Sequence, residues 1–236
     1  MKVIHLIAPS GASLDDKSPL AGIDWLKHQG IAIENAECVK RVHERFAGSD
    51  EVRLSDLNNL ATLDSQNLVM AMRGGYGIHR LLPKIDWVGI SKAITSGLQI
   101  CGHSDFTAFQ LGLLAKTGAI TLSGPMLNYD FGKIDEAGKA IEPDSFMWKH
   151  FQSAIQERKL DCSVSVSQSF LANSGSNKVT GMLWGGNLTV LAGLVGTPYL
   201  PSQQQTQNGI LFLEDVNEHP YRCLLYTSDA ADDSLR

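Results

Sequence analysis

The stretch "LQICGHSDFTAFQLGLLAKTG", residues 98–118, decides the fold, because it joins a strand to a helix through one short turn. The part "LQICGHSD" predicts a β-strand with Ser104 near its end. The part "FTAFQLGLLAKTG" has apolar residues at helical spacing and ends in Gly118, a typical residue just past a helix end. Ligands of parallel α/β sheets gather at the carboxyl ends of strands, so Ser104 is the first candidate for a functional side chain.

The segments on either side repeat this alternation of strand and helix. Strands are predicted in four further stretches, at residues 3–9, 31–39, 67–75 and 119–126. Helices are predicted at residues 20–29, 50–60 and 146–158, with a short helix at 80–82. Strands and helices that alternate at this spacing are typical of a parallel α/β sheet and not of a β-sandwich.

Composition and charge exclude several classes of protein. The 236 residues are 43% hydrophobic and 19% charged, which is ordinary for a soluble globular protein. A net charge of −5 without a basic run disfavours nucleic acid and anionic membranes as main partners. No apolar run reaches the roughly 20 residues that a membrane-spanning helix needs, so a cytoplasmic location is expected. The four cysteines lie far apart, which argues against a zinc site or a disulfide framework.

The pattern changes along the chain and indicates two domains. Residues 1–130 are predicted to form an α/β domain that carries Ser104, and residues 131–164 a polar linker with one helix. Short β-type runs such as "CSVSVSQSFL", "NKVTGMLWGG" and "GILFLEDV" follow. Residues 165–222 are therefore predicted to form a smaller, β-rich domain.

The turn around Ser104 suits a nucleophile. Gly102 leaves room for a tight turn that projects the hydroxyl away from the sheet. The N–H of Asp105, at the start of the predicted helix, could stabilise an oxyanion. The second glycine of a Gly-x-Ser-x-Gly nucleophile elbow is absent, since Phe106 occupies that position. From spacing alone, a Ser104 that only caps the following helix is an equally good interpretation.

A glycine-rich stretch, "MRGGYGIHRLLP" at residues 72–83, follows another predicted strand. Consecutive glycines allow backbone N–H groups to approach a ligand closely, and Arg73 or Arg80 could bind a carboxylate. A plain turn between strand and helix is the alternative interpretation. The stretch contains no dinucleotide or phosphate-loop motif, so no cofactor is expected.

Several motifs together resemble the LD-carboxypeptidase family of serine peptidases, which includes muramoyl-tetrapeptide carboxypeptidases and microcin-immunity peptidases. The similar stretches occur in family order: "IAPSG", "RFAGSDEVRLSDLN", "MRGGYGIHRLLP", "GHSDFTAF", "GPM", "GMLWGGNLTVL" and "LFLEDVNEHPYR". The resemblance implies a flavodoxin-like or amidotransferase-like α/β domain followed by the smaller β-rich domain, with the site between them. It also implies metal-free hydrolysis of the bond to a C-terminal D-amino acid, usually D-alanine of the murein tetrapeptide, by a cytoplasmic homodimer.

The same resemblance implies roles for individual residues. Ser104 matches the nucleophile of a Ser-Glu-His triad, and Glu214 matches the acidic residue that orients the histidine. The backbone N–H groups of Gly75 and Asp105 match the oxyanion hole. Residues 184–187 are expected to face the cleft, so Trp184 and Asn187 are candidate substrate contacts, together with Arg73. Without the resemblance, Glu214 is an ordinary surface carboxylate at a strand end.

The family histidine has no counterpart among the seven histidines of this chain. His219, five residues after Glu214, lies in a loop that varies in the family and is a poor substitute. The last residues, "CLLYTSDAADDSLR" at 223–236, do not resemble the family and look like a translated transposase sequencing adapter. We therefore expect a C-terminally truncated domain and a chain that is inactive as printed, because serine is a weak nucleophile without its base.

Two alternative functions stay open. The chain could belong to the microcin-immunity branch, which cleaves peptidyl or aminoacyl nucleotides, and Trp184 could then stack on a base. It could instead be a non-catalytic ligand-binding α/β protein that keeps the cleft and lacks the chemistry.

Overall fold

A five-stranded parallel sheet forms the centre of the computed structural model, which describes residues 3–166 and 178–216. The spatial order of its strands is β2-β1-β3-β4-β5. Their bounds are β1 Val3–Ile7, β2 Ile33–Glu34, β3 Asn67–Ala71, β4 Gln99–Gly102 and β5 Leu122–Ser123. This is the flavodoxin-like order, in which ligands bind at the point where the strand order reverses, between β1 and β3. The predicted α/β class is confirmed.

Helices cover both faces of the sheet. They are α1 Lys17–His28, α2 Asp50–Asn59, α3 Trp87–Thr95, α4 Thr107–Thr117 and α5 Ser145–Glu157. Successive side chains of β3 point to opposite faces: Val69 joins a core cluster with α2, α3 and α4, whereas Met70 joins one with α1 and α5. Burial on both faces explains why β3 reads as a continuous apolar run. Among the described helices, none has the length and hydropathy that crossing a bilayer requires.

Local differences from the predicted elements have physical reasons. The strand expected at 31–39 shrinks to two residues, because Asn35 adopts a left-handed φ of 54° and a 3₁₀ turn follows at Ala36–Lys40. Helix α3 was not predicted, although its N-cap, Asp86, accepts a 2.9 Å hydrogen bond from the Gly89 N–H. Helix α4 ends as expected, with Gly118 at a φ of 74°.

The C-terminal part contains a second, two-stranded parallel sheet. Its strands, β6 Leu183–Asn187 and β7 Ile210–Glu214, coincide with two of the expected β-type runs. Two helices that were not predicted accompany them, α6 Leu188–Leu194 and α7 Gln203–Thr206. The third expected run shows no strand at 162–166, and its remainder lies outside the described residues. His219 and the stretch 223–236 also lie outside them, and the domain boundaries stay predictions.

Candidate active site

Three turns meet at the carboxyl edge of the sheet. Gly11 follows β1, Gly74 and Gly75 follow β3, and Ser104 follows β4. The Gly11 N–H donates to the Gly74 carbonyl at 3.3 Å. A β-carbon on Gly74 would lie only 2.6 Å from Ser104 Oγ, and one on Gly75 would lie 3.3 Å from Gly11 Cα. Only glycine therefore allows these turns to pack against each other and against the serine.

Ser104 itself has a strained backbone. Its φ is 60°, in the left-handed region where a residue with a β-carbon loses about 1–2 kcal/mol. The chain continues as a single 3₁₀ turn, Ser104–Phe106, into α4. Among the described residues, no side chain caps either helical segment. The interpretation of Ser104 as a helix cap is therefore wrong, and the strained strand-to-helix turn has the form of a nucleophile elbow.

Phe106 explains why the second glycine of the elbow motif is dispensable here. Its fully buried ring lies against Gly102, where a β-carbon would be 2.5 Å from the ring. The ring also stacks on Phe109 of α4, with 4.9 Å between centroids. An aromatic pair thus packs against the core side of the turn, and the lack of a side chain at Gly102 leaves room for the Phe106 ring.

Two backbone amides on these turns are the predicted oxyanion hole, those of Gly75 and Asp105. The Asp105 nitrogen lies 3.2 Å from the position of a Gly74 β-carbon, the same position that contacts Ser104 Oγ. Gly75 is exposed and has a φ of 118°. None of the turn and loop hydrogen bonds between described residues uses the N–H of Gly75 or Asp105. Such uncommitted amides are suited to an anionic oxygen.

The Asp105 side chain points away from solvent and ties the serine turn to the glycine-rich loop. It is 3% exposed and accepts a 3.4 Å hydrogen bond from the Ile78 N–H. Burial raises the pKa of this carboxyl above its ordinary value, and the Ile78 hydrogen bond and the nearby Arg53 charge oppose that rise. The side chain thus contributes to the positioning of the serine turn.

The small sheet docks on the helix that begins beside Ser104. In the β6–β7 register, Asn187 pairs with Glu214 at the carboxyl ends of both strands. The Asn187 N–H donates to Thr107 Oγ1 at 3.1 Å, and its side-chain oxygen caps α6 by accepting from the Val190 N–H at 3.0 Å. Glu214 therefore lies at the end of β7 that faces the serine helix. No hydrogen bond between its carboxylate and Ser104 occurs within the described part of the chain.

The remaining candidates fall in different places. Arg73 is buried, donates to the Ala12 carbonyl at 2.7 Å and lies 3.5 Å from the position of a Gly75 β-carbon. Arg80 is exposed and pairs at 2.8 Å with Asp50, a carboxylate that it shares with Arg53. Trp184 is half-buried against the core and lines a small pocket of about 60 Å³ that does not include Ser104.

The histidine next to the serine has another partner. His103 Nε2 lies 3.3 Å from the Asp130 carboxylate, which also accepts a 2.7 Å hydrogen bond from the Met126 N–H. This pairing turns the ring of His103 toward the segment Leu127–Phe131. As expected from the divergence of adjacent side chains at a tight turn, the structure shows no hydrogen bond between His103 and Ser104 among the described residues.

Three residues at the carboxyl edge of the sheet were not predicted as parts of the site from the sequence. Gly74 lies against Ser104, whereas Gly75 lies against Gly11, which completes the packing of the three turns. Thr107, 1% exposed, receives the hydrogen bond that docks the small sheet. The order of turns after β1, β3 and β4 was the available signal, because carboxyl ends of neighbouring parallel strands converge.

Comparison with known proteins agrees with this geometry. The LD-carboxypeptidase N-terminal domain matches residues 4–124, and the LD-carboxypeptidase C-terminal domain matches residues 180–226, slightly beyond Arg222, where the resemblance was expected to end. A protein of Bacillus subtilis named "Probable murein peptide carboxypeptidase" is 29% identical over 93% of the chain and 64% of its own length. The "Microcin C7 self-immunity protein MccF" of Escherichia coli is also 29% identical, over 82% of the chain and 60% of its own length.

A solved structure supports the same assignment. The muramoyltetrapeptide carboxypeptidase from Oxalobacter formigenes is 38% identical and superposes with a TM-score of 0.80, over 98% of this chain and 72% of that one. The chain thus spans less than two thirds of the length of both curated relatives. The two domain matches, the superposition and the order of the turns around Ser104 lead to one conclusion: the chain belongs to the LD-carboxypeptidase family.

Proposed function

We propose that the protein is a serine carboxypeptidase that hydrolyses the bond between an L-centre and the C-terminal D-alanine of a murein tetrapeptide. The observation that carries the proposal is the strained φ of 60° at Ser104, on a turn at the carboxyl edge of the sheet. Strain of this kind persists at sites where it serves a function. The names of the Bacillus and Oxalobacter relatives support the class of substrate.

The proposed chemistry begins at the Ser104 hydroxyl. Ser104 Oγ attacks the carbonyl carbon, and a general base takes the hydroxyl proton and gives it to the departing amine of D-alanine. The carbonyl oxygen becomes an oxyanion that the amides of Gly75 and Asp105 stabilise. Water then hydrolyses the acyl-enzyme by the same route in reverse and frees Ser104.

Glu214 is proposed to orient the histidine that acts as this base. Its position at the end of β7, opposite Asn187, supports a role at the junction between the small sheet and α4. The family resemblance implies that none of the seven histidines in the chain occupies the position of this base. We therefore expect the chain as printed to release D-alanine only at a background rate unless a base is added.

Substrate contacts are proposed for three further side chains. Arg73 is favoured over Arg80 for the substrate carboxylate, because Arg80 already pairs with Asp50. Asn187 and Trp184 are proposed to line the side of the cleft formed by the small sheet. The homodimer and the cytoplasmic location stay predictions.

The test is release of D-alanine from murein tetrapeptide at increasing concentrations of imidazole, which supplies the base. Release should rise with imidazole in the wild-type chain and stay at background in Ser104→Ala. Ser91→Ala, a serine substitution on α3, is the matched control and should behave like the wild-type chain. Equal release from the wild-type and Ser104→Ala chains, or no release at any concentration, would contradict the proposal.

A second candidate is cleavage of an aminoacyl or peptidyl nucleotide, favoured by the similarity to MccF. The same assay distinguishes the two candidates when an aminoacyl nucleotide replaces the tetrapeptide. Ser104-dependent cleavage of the nucleotide alone would favour this branch. Binding of the tetrapeptide without Ser104-dependent cleavage of either substrate would indicate a non-catalytic binding protein.

A further inference from the structure

A polar pocket of about 170 Å³ lies beside the glycine turns, between the start of α1 and the residues that follow β5. Its polar lining consists of Asp15, Ser18, Arg73, Asn128, Tyr129 and Lys133. Except for Arg73, none of these residues is a candidate from sequence. The pocket is large enough for the end of a peptide with a small last residue.

Two buried atoms in this lining have no hydrogen-bond partner among the described residues: Arg73 Nε and Asn128 Oδ1. Arg73 is 9% exposed and Asn128 is 7% exposed. Both side chains are held in place by their other atoms, because Arg73 donates to the Ala12 carbonyl and Asn128 Nδ2 donates to Ser13 Oγ at 2.9 Å. A buried donor and a buried acceptor without a protein partner, on residues of one lining, offer hydrogen bonds to a bound molecule.

The charges in the pocket favour an anion. Arg73 and Lys133 are cations, and within residues 3–166 and 178–216 neither forms an ion pair. The Arg73 guanidinium lies over the Tyr129 ring, 5.8 Å from its centroid, a contact that leaves the charge available.

Asp15, the one carboxylate in the lining, is already committed to the start of α1. It accepts hydrogen bonds from the Lys17 N–H at 2.8 Å, the Ser18 N–H at 2.6 Å and the Ser18 hydroxyl at 2.8 Å. Burial works against its charge, yet these hydrogen bonds keep the pKa of Asp15 below its ordinary value. The groups that remain for a ligand therefore include two cations, Arg73 and Lys133, and one neutral acceptor, Asn128 Oδ1.

The pocket adjoins the amide that is proposed to hold the oxyanion. Arg73 Nη2 lies 3.5 Å from the position of a Gly75 β-carbon, and Gly74 in turn contacts Ser104 Oγ. In a peptide substrate, the terminal carboxylate is only three bonds from the scissile carbonyl carbon, and the scissile N–H lies between them. A peptide whose carbonyl oxygen reaches the Gly75 amide therefore brings its last residue to Arg73.

We propose that this pocket binds the C-terminal residue that the enzyme removes. Arg73 and Lys133 bind its carboxylate, and Asn128 Oδ1 accepts the hydrogen bond from its N–H. The inference rests on the proposed function and deepens it, because it explains why only the last residue of a peptide is released. An internal residue carries no carboxylate and leaves both cations without a partner.

The test measures binding and not turnover, in the Ser104→Ala chain, which is unable to cleave. The probes are N-acetyl-L-lysyl-D-alanine and the same dipeptide with a C-terminal carboxamide, titrated by calorimetry. A charge-assisted contact should favour the free carboxylate by at least about tenfold in affinity. Lys133→Gln should reduce this preference, and Asn128→Leu should weaken the binding of both probes.

Lys139→Gln is the matched control, since Lys139 is an exposed lysine of the same segment and does not line the pocket. It should leave the preference unchanged. Lys133 is also exposed, so Lys133→Gln tests the pocket without a risk to folding, whereas Asn128 is buried. Equal affinity for the carboxylate and the carboxamide, or the same preference in Lys133→Gln as in Lys139→Gln, would overturn the inference.

The two proposals fail in different ways. Ser104-dependent release of D-alanine without any preference for the carboxylate would overturn the pocket and leave the proposed function intact. A Lys133-dependent preference without Ser104-dependent release would support the pocket and overturn the proposed function.

Discussion

Gly74 and Ser104 are in such close contact that a β-carbon on Gly74 would lie 2.6 Å from Ser104 Oγ and 2.8 Å from Ser104 Cβ. The turn after β3 therefore forms the wall against which the strained turn after β4 rests. The two turns are 30 residues apart in sequence and hold each other in one arrangement. Substitutions in the two turns should therefore have non-additive effects on stability.

Gly74→Ala should lower the free energy of unfolding by about 1–3 kcal/mol, because the new methyl group overpacks the serine turn. The cost should fall in a Ser104→Gly background, where both clashing atoms are gone. A double-mutant cycle by urea denaturation should give a coupling of about 1 kcal/mol or more. Gly193→Ala on α6, where a β-carbon has an ordinary 3.4 Å contact, is the control and should show no coupling to Ser104. Additive effects at Gly74 and Ser104 would show that the contact is not tight.

Ser104→Gly should be more stable than Ser104→Ala by about 1 kcal/mol, because only glycine adopts the φ of 60° without strain. Ser91, inside α3, should show the opposite order, since glycine weakens a helix by about 1 kcal/mol relative to alanine. Urea denaturation of the four variants measures both differences. If the glycine and alanine variants have the same order of stability at both positions, Ser104 does not have a left-handed backbone conformation.

Sequence reasoning found the serine turn because three local signals agree there: an apolar strand, a helical spacing and Gly118 at the helix end. It missed the nine-residue helix α3 in spite of its amphipathic spacing and its N-cap Asp86. It extended β2 because apolar residues at 31–39 do not show where pairing ends. Pairing with β1 stops after Glu34, where Asn35 turns left-handed.

The candidate site was only partly predictable. Residues in the turns after strands are readable from the sequence, since parallel strands share a carboxyl edge. The sequence does not show which glycine of the pair Gly74 and Gly75 lies against Ser104, because both lack side chains and only the turn geometry distinguishes them. Asn128 could not be predicted from the sequence, since it contacts Ser13, which lies 115 positions away in the chain. Lys133 could not be predicted either, since it lies in a segment that was expected to be a linker.

Asp105→Asn should stabilise the protein at neutral pH. Burial raises the pKa of Asp105 in the folded chain, so a charged Asp105 is easier to accommodate in the unfolded chain. Below the ordinary value of 3.8 both states are protonated, and the stability penalty is absent. As the pH rises through the raised pKa, the wild-type chain loses stability relative to the Asp105→Asn variant. The difference in unfolding free energy should therefore grow between about pH 4 and pH 7.

The side-chain amide oxygen that Asp105→Asn introduces can still accept the Ile78 hydrogen bond, so packing is retained. Asp16→Asn, at an exposed carboxylate without a side-chain cap bond, is the matched Asp-to-Asn control. Urea denaturation at several pH values measures both variants. If the difference in unfolding free energy between Asp105→Asn and the wild-type chain becomes smaller as the pH rises, the charged form of Asp105 is favoured in the folded chain.

Asn187 separates a structural role from a binding role. Its side-chain oxygen caps α6, so Asn187→Ala should cost about 1 kcal/mol, whereas Asn187→Asp should keep the cap. Asn59→Ala, at the exposed end of α2, lacks such a cap bond and should be neutral. Asn187→Asp removes only the amide donor and adds a negative charge beside Glu214. If Asn187 contacts the substrate, Asn187→Asp should weaken tetrapeptide binding in the Ser104→Ala chain with little loss of stability. Unchanged affinity would leave Asn187 as a helix cap alone.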